Sequence, residues 1–209
     1  MRNPLSVLGY TAAICASVAM LASPAAAQMT TGYKFLEAVR KQDGTKVEEM
    51  LSSIGSKGTP GSVIINSRDI SSGDTALHIV IAKRELKWLT YFIAKGADVN
   101  LRNFKGTTPL WLAVSSAFTD GAQLLIAKGA RINDPGPSGE TPLIAAVHQK
   151  NLELVKSLIA AGADLNRADS SGRTPLDYAQ LNSKGGMIVT ELENGAKAAK
   201  VRKAKTYGP

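Results

Sequence analysis

The sequence is poorest in the residues that most often carry chemistry. Its 209 residues include one cysteine, Cys15, and two histidines, His78 and His148. No Cys or His cluster stands at metal-ligand spacing, which excludes the metal sites recognisable from sequence. No glycine loop runs into Lys-Ser or Lys-Thr, so a phosphate-cradling nucleotide site is excluded too. Ser71, Ser72, Asp74 and His78 lie near one another, as a hydrolytic site would require. The turn that holds them recurs elsewhere in the chain without any histidine, and proximity alone makes no active site. A non-enzymatic protein without cofactor or metal is expected.

Long apolar runs are also scarce. The one at the start, Leu5 to Leu21, spans 17 residues, short of the roughly 20 that a membrane-spanning helix needs. Arg2 precedes it, and Pro24-Ala25-Ala26-Ala27 places small residues ahead of Gln28. That order is a secretory signal peptide over residues 1–27, with cleavage expected after Ala27. The competing reading is an uncleaved anchor. Cleavage would remove Cys15, so the exported chain would hold no disulfide and stand on packing alone. The compact, alanine-rich signal points to a bacterial periplasm.

What the sequence has in plenty is repetition. Thr75-Ala76-Leu77-His78 returns as Thr108-Pro109-Leu110-Trp111, Thr141-Pro142-Leu143-Ile144 and Thr174-Pro175-Leu176-Asp177, each 33 residues after the last. A second marker keeps the same step: Gly96-Ala97-Asp98-Val99-Asn100, Gly129-Ala130-Arg131-Ile132-Asn133 and Gly162-Ala163-Asp164-Leu165-Asn166. Thr before Pro starts a helix, because its hydroxyl accepts an orphan N–H and Pro at the first position forfeits nothing. Glycine past the second helix suits a left-handed terminating residue. Turn-forming residues such as Asp169-Ser170-Ser171-Gly172 then lead to the next Thr. A unit this small cannot bury its apolar face alone, so neighbours must stack.

These motifs resemble the ankyrin repeat, and the resemblance runs from about Thr31 to Lys197. It implies an all-α repeat solenoid, a stack of helix-turn-helix units with turn or hairpin fingers. The domain spans 28–196: an N-terminal capping unit at 31–66, repeats at about 67–100, 101–133 and 134–166, and a C-terminal capping unit at 167–196. Phe35, Leu36, Ala38, Val39, Val47, Met50 and Leu51 supply the first cap's apolar faces. Met187, Ile188 and Leu192 supply the last cap's inward face. Gly55 to Ser62 is a loop, either a tolerated insertion at a repeat junction or a mobile contact loop on the array's edge. Trp88 is expected in the core. Thr119 and Gly121 weaken the second helix of the third unit, since Gly costs roughly 1 kcal/mol against Ala there.

The resemblance also assigns roles. His78 holds the fourth position of the tetrapeptide, where the family uses histidine to hydrogen-bond within and between repeats. Trp111, Ile144 and Asp177 replace it in the other copies, which places that network in doubt there. Two repeats separate His78 from His148, roughly 20 Å, too far to share a metal. The expected function is non-enzymatic protein binding through the concave face, formed by the turn tips and the outer residues of the first helices. Residues assigned to that face are Asp74, Lys83, Phe104, Lys105, Glu140, His148, Gln149 and Arg173. Phe104, an aromatic ring beside Lys105 on a turn tip, has the composition of an interface anchor. The alternative is a ring folded onto the neighbouring finger.

The charge has a location as well. The chain holds 25 Lys and Arg against 17 Asp and Glu, for a net charge of +8. Lys197, Lys200, Arg202, Lys203 and Lys205 crowd into the tail at 197–209, where no acid occurs. The run Ala196-Lys197-Ala198-Ala199-Lys200 favours helix and would extend the last one. Such a tail suits an anionic membrane surface, or serves as a solubilising end. Nucleic acid is a poor fit, because the tail has no interleaved aromatics apart from Tyr207.

Overall fold

The computed structural model describes residues 24–55, 64–181 and 186–206. The apolar run Leu5–Leu21, nearly all of the Gly55–Ser62 insertion, and the side chains of Arg202, Lys203 and Lys205 lie outside the described residues. Ten α-helices and no strand occur among the described residues. They are α1 (Pro24–Lys41), α2 (Gly44–Gly55), α3 (Ala76–Ala82), α4 (Leu86–Ala94), α5 (Pro109–Ser115) and α6 (Thr119–Ala127), then α7 (Pro142–His148), α8 (Leu152–Ala160), α9 (Pro175–Leu181) and α10 (Gly186–Thr206). The expected all-α repeat solenoid is what the chain forms.

Each pair follows from its local sequence. In α5 and α7 the Thr108 and Thr141 hydroxyls accept the backbone N–H of Trp111 and Ile144, both at 3.2 Å, with proline at the first helical position. The second helix of each full repeat ends before a glycine, and Gly96, Gly129 and Gly162 hold φ of 90°, 82° and 89°. That left-handed geometry carries the expected C-terminal turn at no steric cost.

Packing runs along two rows. First helices α1, α3, α5, α7 and α9 stack in one row, and second helices α4, α6, α8 and α10 in the other. The core repeats with the same step: Leu77, Leu110 and Leu143, then Leu89, Ala122 and Val155, then Phe92, Leu125 and Leu158 are all buried. A polar ladder keeps the same period. Asn66, Asn100 and Asn133 each accept the backbone N–H of the next unit's Asp98, Arg131 and Asp164 at 2.8 Å. Asparagine at that position ties its own unit to its successor.

The N-terminal cap is joined to the first full repeat by rings. Phe35 meets Phe92 edge to face at 5.9 Å, and Trp88 stacks on Phe92 at 5.4 Å. Trp88 is half-buried at the margin of the core rather than inside it. At the other end Ile188 and Leu192 are buried as expected, but Met187 is 74% exposed. One residue before Ile188, its position on the helix turns it away from α9. No break occurs at Lys197: α10 runs from Gly186 through to Thr206, so the basic segment continues the last cap helix. Likewise α1 already begins at Pro24, so a cut after Ala27 would fall in its first turn. No helix among the described residues is long and apolar enough to cross a membrane.

Gly121 has a packing role. A Cβ built there would lie 2.4 Å from the ring of Phe118, which is itself buried. The third unit exchanges helix propensity for a ring laid flat against its own second helix.

Candidate functional site

The turn fingers between successive units, together with the first-helix row, shape one surface. His78 sits beneath it, buried. Its Nδ1 accepts the Thr75 backbone N–H at 3.3 Å and faces the Thr75 hydroxyl at 2.9 Å, while its Nε2 lies 3.0 Å from the Thr107 carbonyl. A carbonyl can only accept and a backbone N–H can only donate, so the ring is the neutral tautomer with its proton on Nε2. Burial pushes the His78 pKa below its ordinary value, outweighing the Thr107 bond and the nearby Asp74 charge. Both ring nitrogens are spent on the scaffold, and no serine hydroxyl engages them; Ser72 Oγ donates instead to Asp74 Oδ2 at 2.7 Å. The structural role assigned to His78 holds. Asp177 reproduces only its local half, accepting the Thr174 N–H and hydroxyl at 2.7 Å each.

The assigned surface residues fall into two groups. Asp74, Lys83 and Lys105 line one groove of about 610 Å³, together with Arg40, His78, Asn103, Trp111 and Pro137. Asp74 is held by Asn103 Nδ2 at 2.8 Å as well as by Ser72. Lys83 Nζ donates to the Arg40 carbonyl, and the Arg40 guanidinium pairs with Asp69. Asp69 organises the first finger: the Ser71 hydroxyl and Arg40, then the Ser72 and Ser71 amides, hold its carboxyl far below the usual range.

The second group lies one repeat pair further on. Glu140 Oε1 is 2.7 Å from His148 Nδ1, and the His148 ring meets Tyr178 edge to face at 4.3 Å. Arg173 lies 5.7 Å over the Tyr178 ring, whose hydroxyl donates to Asp169 at 2.6 Å. Gln149 lies between the groups, with Nε2 donating to the Ser115 carbonyl at 2.9 Å. Phe104 is folded onto the neighbouring finger. Its ring lies over Gly73, where a Cβ would come within 2.6 Å, yet it remains 63% exposed.

Arg40, Asn103, Trp111 and Tyr178 escaped the sequence reading of this surface. Arg40 belongs to the N-terminal cap and meets the groove only through stacking. Trp111 carried a signal, a bulky ring where the repeat has histidine in its first copy. No group of three metal-ligating side chains is found among the described residues.

Stacked helix pairs of 33 residues, joined by turn fingers and an asparagine ladder, define a helical repeat protein. Two family models agree: one described as ankyrin repeats in three copies matches residues 35–136, and one described as ankyrin repeats in many copies matches 125–179. The chain belongs to the ankyrin repeat family. Comparison with curated proteins returns no match.

Proposed function

We propose that this chain is an exported, non-enzymatic binding protein that captures a protein partner on the face formed by its fingers and first helices. Ankyrin repeats generally serve as protein–protein interaction modules. The observation that carries the reading is the groove of about 610 Å³ on that face, where Asp74, Lys83 and Lys105 meet Trp111. Exposed Phe104 stands beside it on the same finger as Lys105. A desolvated aromatic flanked by charge is the usual centre of a protein interface. Export to the periplasm rests on the signal-peptide pattern at 1–27.

The test is a crosslinking pull-down from the periplasmic fraction with the full chain and its Phe104→Ala, Lys105→Ala variant. Capture of one partner by the parent alone, with both proteins melting alike, supports the face. Equal capture by both places the contact elsewhere.

The course of α10 favours a second reading. Lys197 and Lys200 are exposed on a helix that runs on to Thr206, a rigid cationic arm suited to an anionic membrane. Deleting the arm is a poor test, because Ala198 and Ala199 line an apolar pocket with Ile159 and Leu165. Glutamine at Lys197, Lys200, Arg202, Lys203 and Lys205 keeps the helix and removes the charge. Binding to vesicles of mixed neutral and anionic lipid should vanish in that variant; undiminished binding rejects tethering.

A further inference from the structure

The fingers are not joined alike. Between the first and second, His78 Nε2 reaches the Thr107 carbonyl at 3.0 Å and the Phe104 N–H donates to the Ser72 carbonyl at 2.9 Å. Between the third and fourth, the Ser170 N–H donates to the Ser138 carbonyl at 2.9 Å. Between the second and third, both devices are gone. Pro137 holds the position of Phe104 and Ser170 and has no N–H to give. Trp111 holds the position of His78, and its buried indole N–H has no acceptor among the described residues. These two fingers are tied deeper down instead, where Arg102 donates to the Pro135 carbonyl at 2.8 Å and pairs with Asp134 at 3.2 Å.

The groove lies over the first and second full repeats and reaches this seam at Pro137. Lys105, Trp111 and Pro137 line it from the two unjoined fingers and the helix between them, and Lys83 from the neighbouring first-helix end. Its lining carries three cations, Arg40, Lys83 and Lys105, against one carboxylate, Asp74. Arg40 is already paired with Asp69. Among the described residues, Lys83 meets a backbone carbonyl rather than an acid, and the exposed Lys105 is in no ion pair. Two lysines without carboxylates leave a local positive field, which an acidic occupant would meet.

We propose that the groove bounded by Asp74, Lys105 and Pro137 takes an acidic peptide segment, with Lys83 and Lys105 pairing its carboxylates and Trp111 packing against an apolar side chain. This rests on the reading of the same face as a protein-binding surface and names the chemistry of what it binds.

Only two tryptophans exist, so Trp88→Phe in the full chain leaves Trp111 as the sole indole. The probes are a capped pentapeptide of four glutamates around a leucine, and the same peptide with four lysines. The acidic peptide should shift Trp111 emission saturably, more weakly as salt rises. Lys83→Glu with Lys105→Glu should weaken it by at least about tenfold, while Lys197→Gln with Lys200→Gln leaves it unchanged. Should Trp88→Phe not fold, Trp111→Phe in the parent must abolish the shift. Equal or tighter binding of the lysine peptide, no binding of the acidic one, or binding lost with Lys197 and Lys200 but not with Lys83 and Lys105 each overturns the proposal. The pull-down with the Phe104 and Lys105 variant judges the wider face independently, so a wrong charge chemistry and a wrong surface give different results.

Discussion

The Nε2 of His78 donates across 3.0 Å to the carbonyl of Thr107, a bond between one unit's first helix and the next unit's finger. The imidazole can keep this bond together with its other one only while neutral, since Nδ1 is committed as an acceptor to the Thr75 N–H. A second proton would set two donors face to face.

That arrangement fixes a pH dependence. Burial holds the native pKa of His78 below the ordinary 6.5 of the unfolded chain. As pH falls below about 6.5 the unfolded state binds the proton first, so stability declines, levelling only below the native value. His78→Gln should be less stable than the parent at neutral pH by roughly 1–3 kcal/mol. Urea melts at pH 7.5 and 5.5 should show the gap narrowing at the lower value.

A second acid step belongs to the fourth finger. Tyr178 and Ser171 hydroxyls, with the Arg173 and Ser171 amides, hold the Asp169 carboxyl well below its ordinary value of 3.8. Its contribution is present above 3.8 and disappears as pH falls through the native value. Tyr178→Phe removes the largest cause. Carboxyl titration by NMR should then place Asp169 closer to its ordinary value.

Two neighbouring positions should respond against their helix propensities. Gly121→Ala, which propensity alone favours, drives a Cβ to within 2.4 Å of the Phe118 ring. It should destabilise by about 1–3 kcal/mol, and adding Phe118→Leu should recover part of the loss. Ala117 sits at φ 53° in the turn between α5 and α6. Ala117→Gly should stabilise by about 1 kcal/mol, because the left-handed region strains a Cβ. Thermal melts of the three variants decide both.

The seam between the second and third fingers should exchange fastest. Phe104 and Ser170 amides bond to the preceding finger, whereas Pro137 has none to bond. Hydrogen exchange should label residues 136–140 sooner than 103–107 or 169–173. Equal protection across the three fingers would contradict the loss of that junction.

The repeat and its phase were legible without coordinates, because a stacked unit must present the same small set of residues at every turn and contact. Thr, Leu, Gly and Asn recur at 33-residue spacing because each satisfies one backbone group or fills one layer of the core. The role of His78 could be read the same way. Deviations from the pattern were visible but not their meaning. Gly121 reads as a weakness until Phe118 is seen to fill its space, and Met187 reads as core until the helix phase turns it outward.

What the sequence determined by itself was therefore local and periodic: where helices start and stop, which faces are apolar, and that neighbours must stack. Tertiary structure alone decided which side chains from different units meet. Arg40 lies 71 residues before Trp111, yet the two line one groove. Glu140, His148, Arg173 and Tyr178 converge across two units for the same reason. Spacing along the chain fixes a residue's place within its own unit, but the twist and offset between units set its neighbours. Those come from the summed packing of every interface in the stack, which no single motif carries.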